Sequence, residues 1–136
     1  TWILSKTGQE ISGCCIQASK RHFARVGLFI LNGARVNGQS IVPDGWLQEA
    51  TTTRTGIGQP GRGYGYQWWT YEDGSFAARG IFGQGIFLDP KRKLVVAVNA
   101  NWGGGASERK ASAAREEFYR GVQRAVDAEG TGSGRP

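Results

Sequence analysis

Between residues 64 and 99 the apolar side chains come in short clusters separated by turn residues, the spacing of strands rather than helices. Three or four antiparallel strands are expected there. The aromatics of the first cluster fall on both alternation sets, Tyr64/Tyr66/Trp68 and Trp69/Tyr71, which fits one strand covered on two faces. Glu72-Asp73-Gly74 supplies a turn with glycine where positive φ is needed. Asp89-Pro90-Lys91-Arg92-Lys93 supplies another, with proline presetting φ, so two hairpins are predicted. The strand between them is interrupted, because Gly80, Gly83 and Gly85 break up Ile81, Phe82, Ile86 and Phe87. Glycine weakens a strand interior and marks a bulge or a close approach by a ligand or another backbone.

Outside that stretch the spacing turns helical. Ser19 suits an N-cap, since its hydroxyl can accept from amides of the next turn, and Phe23, Val26, Gly27 and Ile30 then share a face. Asn32-Gly33 ends that helix with a residue able to take positive φ. His22, the single histidine, falls at the surface or boundary of this helix, and any triad or metal cluster using histidine would have to be built on it alone. Pro43 fits the first turn of a short helix through Trp46, Leu47 and Ala50. Residues 51–63 read as a glycine-rich loop of the kind that rims a pocket in enzymes. After Trp102, three glycines precede a helix over 106–128 with Phe118, Val122, Ala125 and Val126 on one side, covering the sheet. Residues 1–13 read as loop or strand edge, and 129–136 as a disordered tail.

A chain of 136 residues is long enough for one core, and its aromatic content supports a folded globule. The net charge of +6 invites a nucleic-acid reading. Lys and Arg are scattered beside Asp and Glu over turns and a helix, with no nucleic-acid module, so no such partner is expected; the excess favours anionic substrates instead. Cys14 and Cys15 are adjacent, a spacing at which a bridge is strained, and they form neither a disulfide framework nor a zinc pattern. No run reaches the roughly 20 apolar residues of a membrane span. Compartment is undetermined.

The glycine-notched stretch Gly80-Ile81-Phe82-Gly83-Gln84-Gly85-Ile86-Phe87-Leu88-Asp89-Pro90, with Tyr64–Trp69 before it and Leu94–Asn99 after it, resembles the serine β-lactamase and penicillin-binding-protein superfamily. Within it the resemblance is to the class C-like branch that includes esterases and 6-aminohexanoate-dimer hydrolases. It runs over about residues 9–102, with Gly13 to Gly27 similar to the helix that branch carries before its last strands and Asn37 to Trp46 similar to the short helix after it. The resemblance implies an α/β (α+β) fold, an antiparallel sheet flanked by helices, here the C-terminal part of a larger domain over residues 1–128. It also implies a nucleophile motif Ser-x-x-Lys and a Tyr motif upstream, on residues outside this chain, which does not begin with Met.

Two literal matches to the family's motifs are set aside. Lys6-Thr7-Gly8 has the letters of the strand triplet that lines the pocket, but it stands in a polar segment ahead of the helix that should precede that strand. Ser107-Glu108-Arg109-Lys110 has the spacing of a nucleophile and its base one turn apart. It opens an Ala-rich charged helix after all the strands, where the Ser107 hydroxyl is better used as a cap. The expected counterpart of the triplet is Ile81-Phe82-Gly83, and the residue after it, Gln84, is then the backbone donor to an oxyanion hole. Such an amide stabilises the developing charge of acyl transfer by about 3 kcal/mol. Ile81, Phe82 and Gly83 are expected to bind substrate, with Trp68 and Trp69 as candidate pocket walls. Lacking a cationic or hydroxyl side chain, the triplet puts recognition of a β-lactam carboxylate in doubt and favours a less charged amide or ester.

The expectation is the C-terminal portion of a serine hydrolase that needs no metal or cofactor, has small-molecule amide or ester substrates, and is completed by the rest of its domain upstream. Alone, the 136 residues are expected to be inactive. The alternative is a non-catalytic binding or interaction module of the same fold.

Overall fold

The structure, a computed structural model, describes residues 1–11, 14 and 16–132. Eight strands and three α-helices follow in the order α1 (Lys20–Leu31), β1 (Arg35–Val36), β2 (Gln39–Ser40), α2 (Trp46–Thr51), β3 (Thr55–Gly56), β4 (Arg62–Tyr64), β5 (Trp69–Tyr71), β6 (Phe76–Arg79), β7 (Gly85–Asp89), β8 (Leu94–Val98) and α3 (Arg109–Gly132). β3 to β8 form one six-stranded sheet in sequence order, each strand antiparallel to the next. β1 and β2 make a separate exposed hairpin. The α+β class and the antiparallel sheet flanked by helices agree with expectation.

Turn chemistry explains the meander. Gly74 (φ +83°) closes the β5–β6 turn, where Asp73 Oδ1 accepts from the Ser75 amide at 2.9 Å. In the β7–β8 turn the buried carboxylate of Asp89 accepts from the Arg92 amide (3.1 Å), from Arg92 Nη1 (2.8 Å) and from Gln123 Nε2 (2.7 Å). Arg92 also grips Asp127 through Nε and Nη2, which pins α3 to this turn.

The sheet has a helix on each face. One face carries Ile86 and Val95 against Gly27, the buried residue of α1; α1 ends in a Schellman motif in which Gly33 N–H reaches Ile30 O and Ala34 N–H reaches Phe29 O. The opposite face carries Tyr71, Ala77 and Phe87 against Tyr119 of α3. The Phe87 and Tyr119 rings stack at 4.5 Å, with Tyr71 edge-on to Phe87 at 5.7 Å. Burying side chains of this size is worth roughly 1.5–3 kcal/mol each, so this cluster carries much of the docking of α3.

Several expectations need correction. The aromatic stretch 64–71 is two strands, because Gln67 (φ +66°) and the bond from Gly65 N–H to Trp68 O fold it back, leaving Tyr64 paired with Trp69 across a hairpin. Aromatics on both alternation sets reflect that reversal, not a strand covered twice. The loop 51–63 contains β3 and the start of β4. Pro43 stands ahead of α2, whose N-cap is Gly45 at φ +77°. In α1 the face shared by Phe23, Gly27 and Ile30 excludes Val26, which is half exposed. α3 runs on to Gly132, past the expected end at 128, and it buries Arg115, Tyr119 and Gln123 while Phe118 is exposed. Residues 133–136 of the expected tail lie outside the described residues. Cys14 is disulfide-bonded; Cys15, the other member of the adjacent pair, lies outside the described residues.

Candidate active site

β6 ends at Arg79 and β7 begins at Gly85, so Ile81, Phe82, Gly83 and Gln84 lie in the connection between strands and not on one. This corrects the strand placement of the triplet. The connection is a three-residue hairpin loop: Gly80 N–H donates to Gln84 O (2.8 Å), Gly83 N–H donates to Gly80 O (3.3 Å), and Gly83 takes φ +89°. A type I turn followed by a left-handed residue is a standard way to close such a loop, and the left-handed position favours glycine. Gly83 is also roofed, since a Cβ there would lie 2.2 Å from the Trp102 ring, and Trp102 N–H donates to Phe82 O at 3.0 Å.

The Gln84 side chain folds back over Gly80, and its Oε1 accepts from Phe82 N–H at 3.0 Å. Three of the loop amides, those of Gly80, Phe82 and Gly83, are therefore used within the loop. The amides of Ile81 and Gln84 donate to no carbonyl of the described residues outside the regular strand ladder. The loop stands between two clefts. A small one of ≈ 230 Å³ on the α1 face is lined by Gln84, Gly80, Gly85 and Phe23. A larger one of ≈ 970 Å³ on the α3 face is lined by Gly80, Ile81, Trp69 and Trp102, with Ile57 and Gln59 of the 51–63 stretch on its rim.

Trp69 and Trp68 part company. Trp69 lines the larger cleft, edge-on to Tyr64 (5.0 Å) and beneath the Arg79 guanidinium (5.2 Å). Trp68 packs edge-on against Phe76 at 5.1 Å, on the sheet face that bears Leu88. His22 is exposed in the first turn of α1, its amide donating to Ser19. Lys6-Thr7-Gly8 forms an exposed turn. Ser107 lies in a 3-10 turn, Gly105–Ser107, before α3, and its hydroxyl donates to Gly104 O rather than capping helix amides; the Glu108 carboxylate instead accepts from Gly104 N–H at 3.0 Å.

Sequence reasoning missed a buried polar cluster under the loop. Arg79 at the end of β6 donates through Nη2 to Tyr71 OH and Glu116 Oε1, and Arg62 Nη1 lies 2.8 Å from Glu116 Oε2. Arg115 lies over the Trp102 ring at 4.8 Å. Burial lowers the pKa of Arg115, and the neighbouring Arg79 lowers it further; burial raises that of Tyr71, and pushes Tyr119 up to about 12. A faint signal was present, since Arg79 alternates with Ala77 on the face toward α3.

Helices on both faces of an antiparallel meander, with two clefts meeting at a glycine-closed strand end, define an α+β scaffold whose candidate site is a strand terminus. The family model described as Beta-lactamase matches residues 17–119, and the chain belongs to that family, in the class C-like branch of the serine β-lactamase and penicillin-binding-protein superfamily. It is 29% identical over 113 residues to a 6-aminohexanoate-dimer hydrolase of Paenarthrobacter ureafaciens, a match spanning 75% of this chain and 29% of that protein. It is similar in structure to a putative 6-aminohexanoate-dimer hydrolase from Bacillus anthracis, with a TM-score of 0.73 at 25% identity over 93% of this chain and 34% of that one. The chain thus spans about a third of the length of these relatives.

Proposed function

We propose that these residues form the oxyanion strand end and pocket wall of a serine hydrolase that cleaves amide or ester bonds through an acyl-enzyme. The attacking serine, with its activating Lys and Tyr, belongs to residues outside this chain. Gln84 donates its backbone N–H to the oxyanion, Gly83 closes the loop that presents that amide, and Ile81, Phe82 and Trp69 contact the substrate. The substrate is a small amide or ester, the reaction needs no cofactor, and the rest of the domain is the partner. Residues 1–128 then belong to that domain.

The observation that carries this reading is the pair of amides, of Ile81 and Gln84, left over by the hairpin loop beside two clefts. Acyl transfer needs a fixed donor where charge develops, and loss of one costs about 10²–10³ in kcat. The names of the relatives, both hydrolases, support the same class.

The test uses p-nitrophenyl ester hydrolysis. The 136-residue chain alone should show none, whereas the chain joined to its upstream residues should be active and labelled by a fluorophosphonate. In that longer protein Gln84→Ala keeps the amide and should stay within a few-fold of wild type, while Gln84→Pro removes it and should lose about 100-fold or more. Equal activity of the two variants moves the donor to Ile81. Turnover by the 136 residues alone that Ser107→Ala abolishes would overturn the whole assignment, and an unlabelled longer protein would make it a binding module.

A further inference from the structure

The larger cleft holds more positive charge than the chain neutralises. Arg62, Arg79 and Arg115 all point at one carboxylate, Glu116, with Arg115 Nε the farthest at 3.9 Å. Tyr71, which accepts from Arg79, adds no charge. Arg109 and Arg120 stand exposed at the rim, and the other carboxylate there, Glu117, is engaged by Arg124 at 2.6 Å. These five arginines thus face two carboxylates, one of them already paired.

Burial makes this excess consequential. Arg115 is only 9% exposed, and the Nε–H groups of Arg79 and Arg115 are both buried without a hydrogen-bond partner among the described residues. Trp102 and Trp69 offer ring faces to these guanidinium groups, which attract the cation but leave those N–H groups unspent. A buried donor left unmade costs about 1–3 kcal/mol, and native proteins rarely carry one without a partner. A purely structural network holding α3 to the sheet would be expected to spend these donors and balance its charge; this one does neither. The lowered pKa of Arg115, caused by burial and then by Arg79, is the electrostatic expression of the same imbalance.

We propose that the cleft between β4–β6 and α3 is an oxyanion-binding site for the carboxylate or phosphate group of a small molecule. Arg79 and Arg115 supply the inner positive charge through their guanidinium groups, and Arg109 and Arg120 draw the anion to the mouth. Guanidinium forks suit either oxyanion. At ≈ 970 Å³ the cleft has room for a molecule larger than the anion itself. The proposal asks for binding and not turnover, in a cleft that Ile81 and Trp69 of the proposed pocket wall also line.

Isothermal titration of the 136-residue chain at fixed ionic strength, with inorganic phosphate in one arm and succinate in the other against a chloride baseline, tests it. One arm should show saturable 1:1 binding, and the arm that binds names the source. Arg115→Gln should weaken it at least 10-fold with circular dichroism unchanged. Should Arg115→Gln fail to fold, the double variant Arg109→Gln/Arg120→Gln, at exposed positions, should weaken binding at least 3-fold. Binding of neither anion beyond chloride, or binding untouched by the folded variants, overturns the proposal and leaves only diffuse attraction by a chain of charge +6.

Discussion

Gly83 meets two demands that can be separated by mutation. Its φ of +89° is a backbone cost for any L side chain, on the order of 1–2 kcal/mol, and its Cβ position is filled by the Trp102 ring. Gly74 has nearly the same φ, +83°, with nothing within 4 Å of its Cβ position. Gly74→Ala should therefore lose about 1 kcal/mol in urea unfolding, while Gly83→Ala should lose about 1 kcal/mol more and shift the tryptophan emission as Trp102 is displaced. Equal losses would mean that the ring moves aside freely. The same residue shows how far the sequence was legible: a glycine in an apolar run signalled a close approach, and one exists. The approaching group is the chain's own Trp102, nineteen positions on, which no local pattern reveals.

The helices make a corresponding point at the level of elements. α1, its cap at Ser19 and its stop at Gly33 were legible because capping is local chemistry. The meander was legible because turn residues punctuate it. The buried side of α3 was not, since a search for apolar residues selects Phe118, whereas the sheet offers Asp89 to Gln123, and Trp102, beyond the last strand, lies against Arg115. Packing against those partners outweighs side-chain hydropathy. α1 supplies a prediction in which two effects oppose each other. Alanine at Gly27 gains about 1 kcal/mol of helix propensity, yet its Cβ would lie 2.5 Å from Val95 Cγ1 and 2.9 Å from Ile86 Cγ2. Overpacking of this kind costs about 1–3 kcal/mol, and both neighbours are short branched chains with little room to yield. Gly27→Ala should be net destabilising by about 1–2 kcal/mol, and Val95→Ala in the same chain should recover part of that loss. A double-mutant cycle with no coupling would show that α1 does not seat on β8 at this point.

For the molecule as a whole, the burial of tyrosine contributes to the alkaline limit of stability and a hydrogen-bonded carboxylate to the acid limit. Tyr119 is 1% exposed, with a hydroxyl that finds no partner among the described residues, and burial pushes its pKa to about 12 from an ordinary 10.0. A raised folded pKa means the native state keeps a proton that the unfolded chain releases. The contribution is whole below about pH 10 and is lost as the pH climbs toward about 12, on the order of 2 kcal/mol in all. Burial raises Tyr71 as well, in the same direction. At the acid end burial alone would raise Asp73, but hydrogen bonds from Ser75 and Gln123 outweigh it and leave its pKa below the ordinary 3.8. Its contribution is present above that value and fades as the pH falls through the lower native one. Urea midpoints should therefore hold level from about pH 5 to 9 and drop between pH 10 and 12, with tyrosinate absorbance at 295 nm rising in step with unfolding. Tyr119→Phe separates the hydroxyl from the ring stack on Phe87: it should be no less stable than wild type at pH 7, because the hydroxyl removed was unpaired, and its alkaline drop should be shallower. A loss of more than about 1 kcal/mol at pH 7 would show that the phenol does find a partner in solution, and the alkaline slope would then belong to another group.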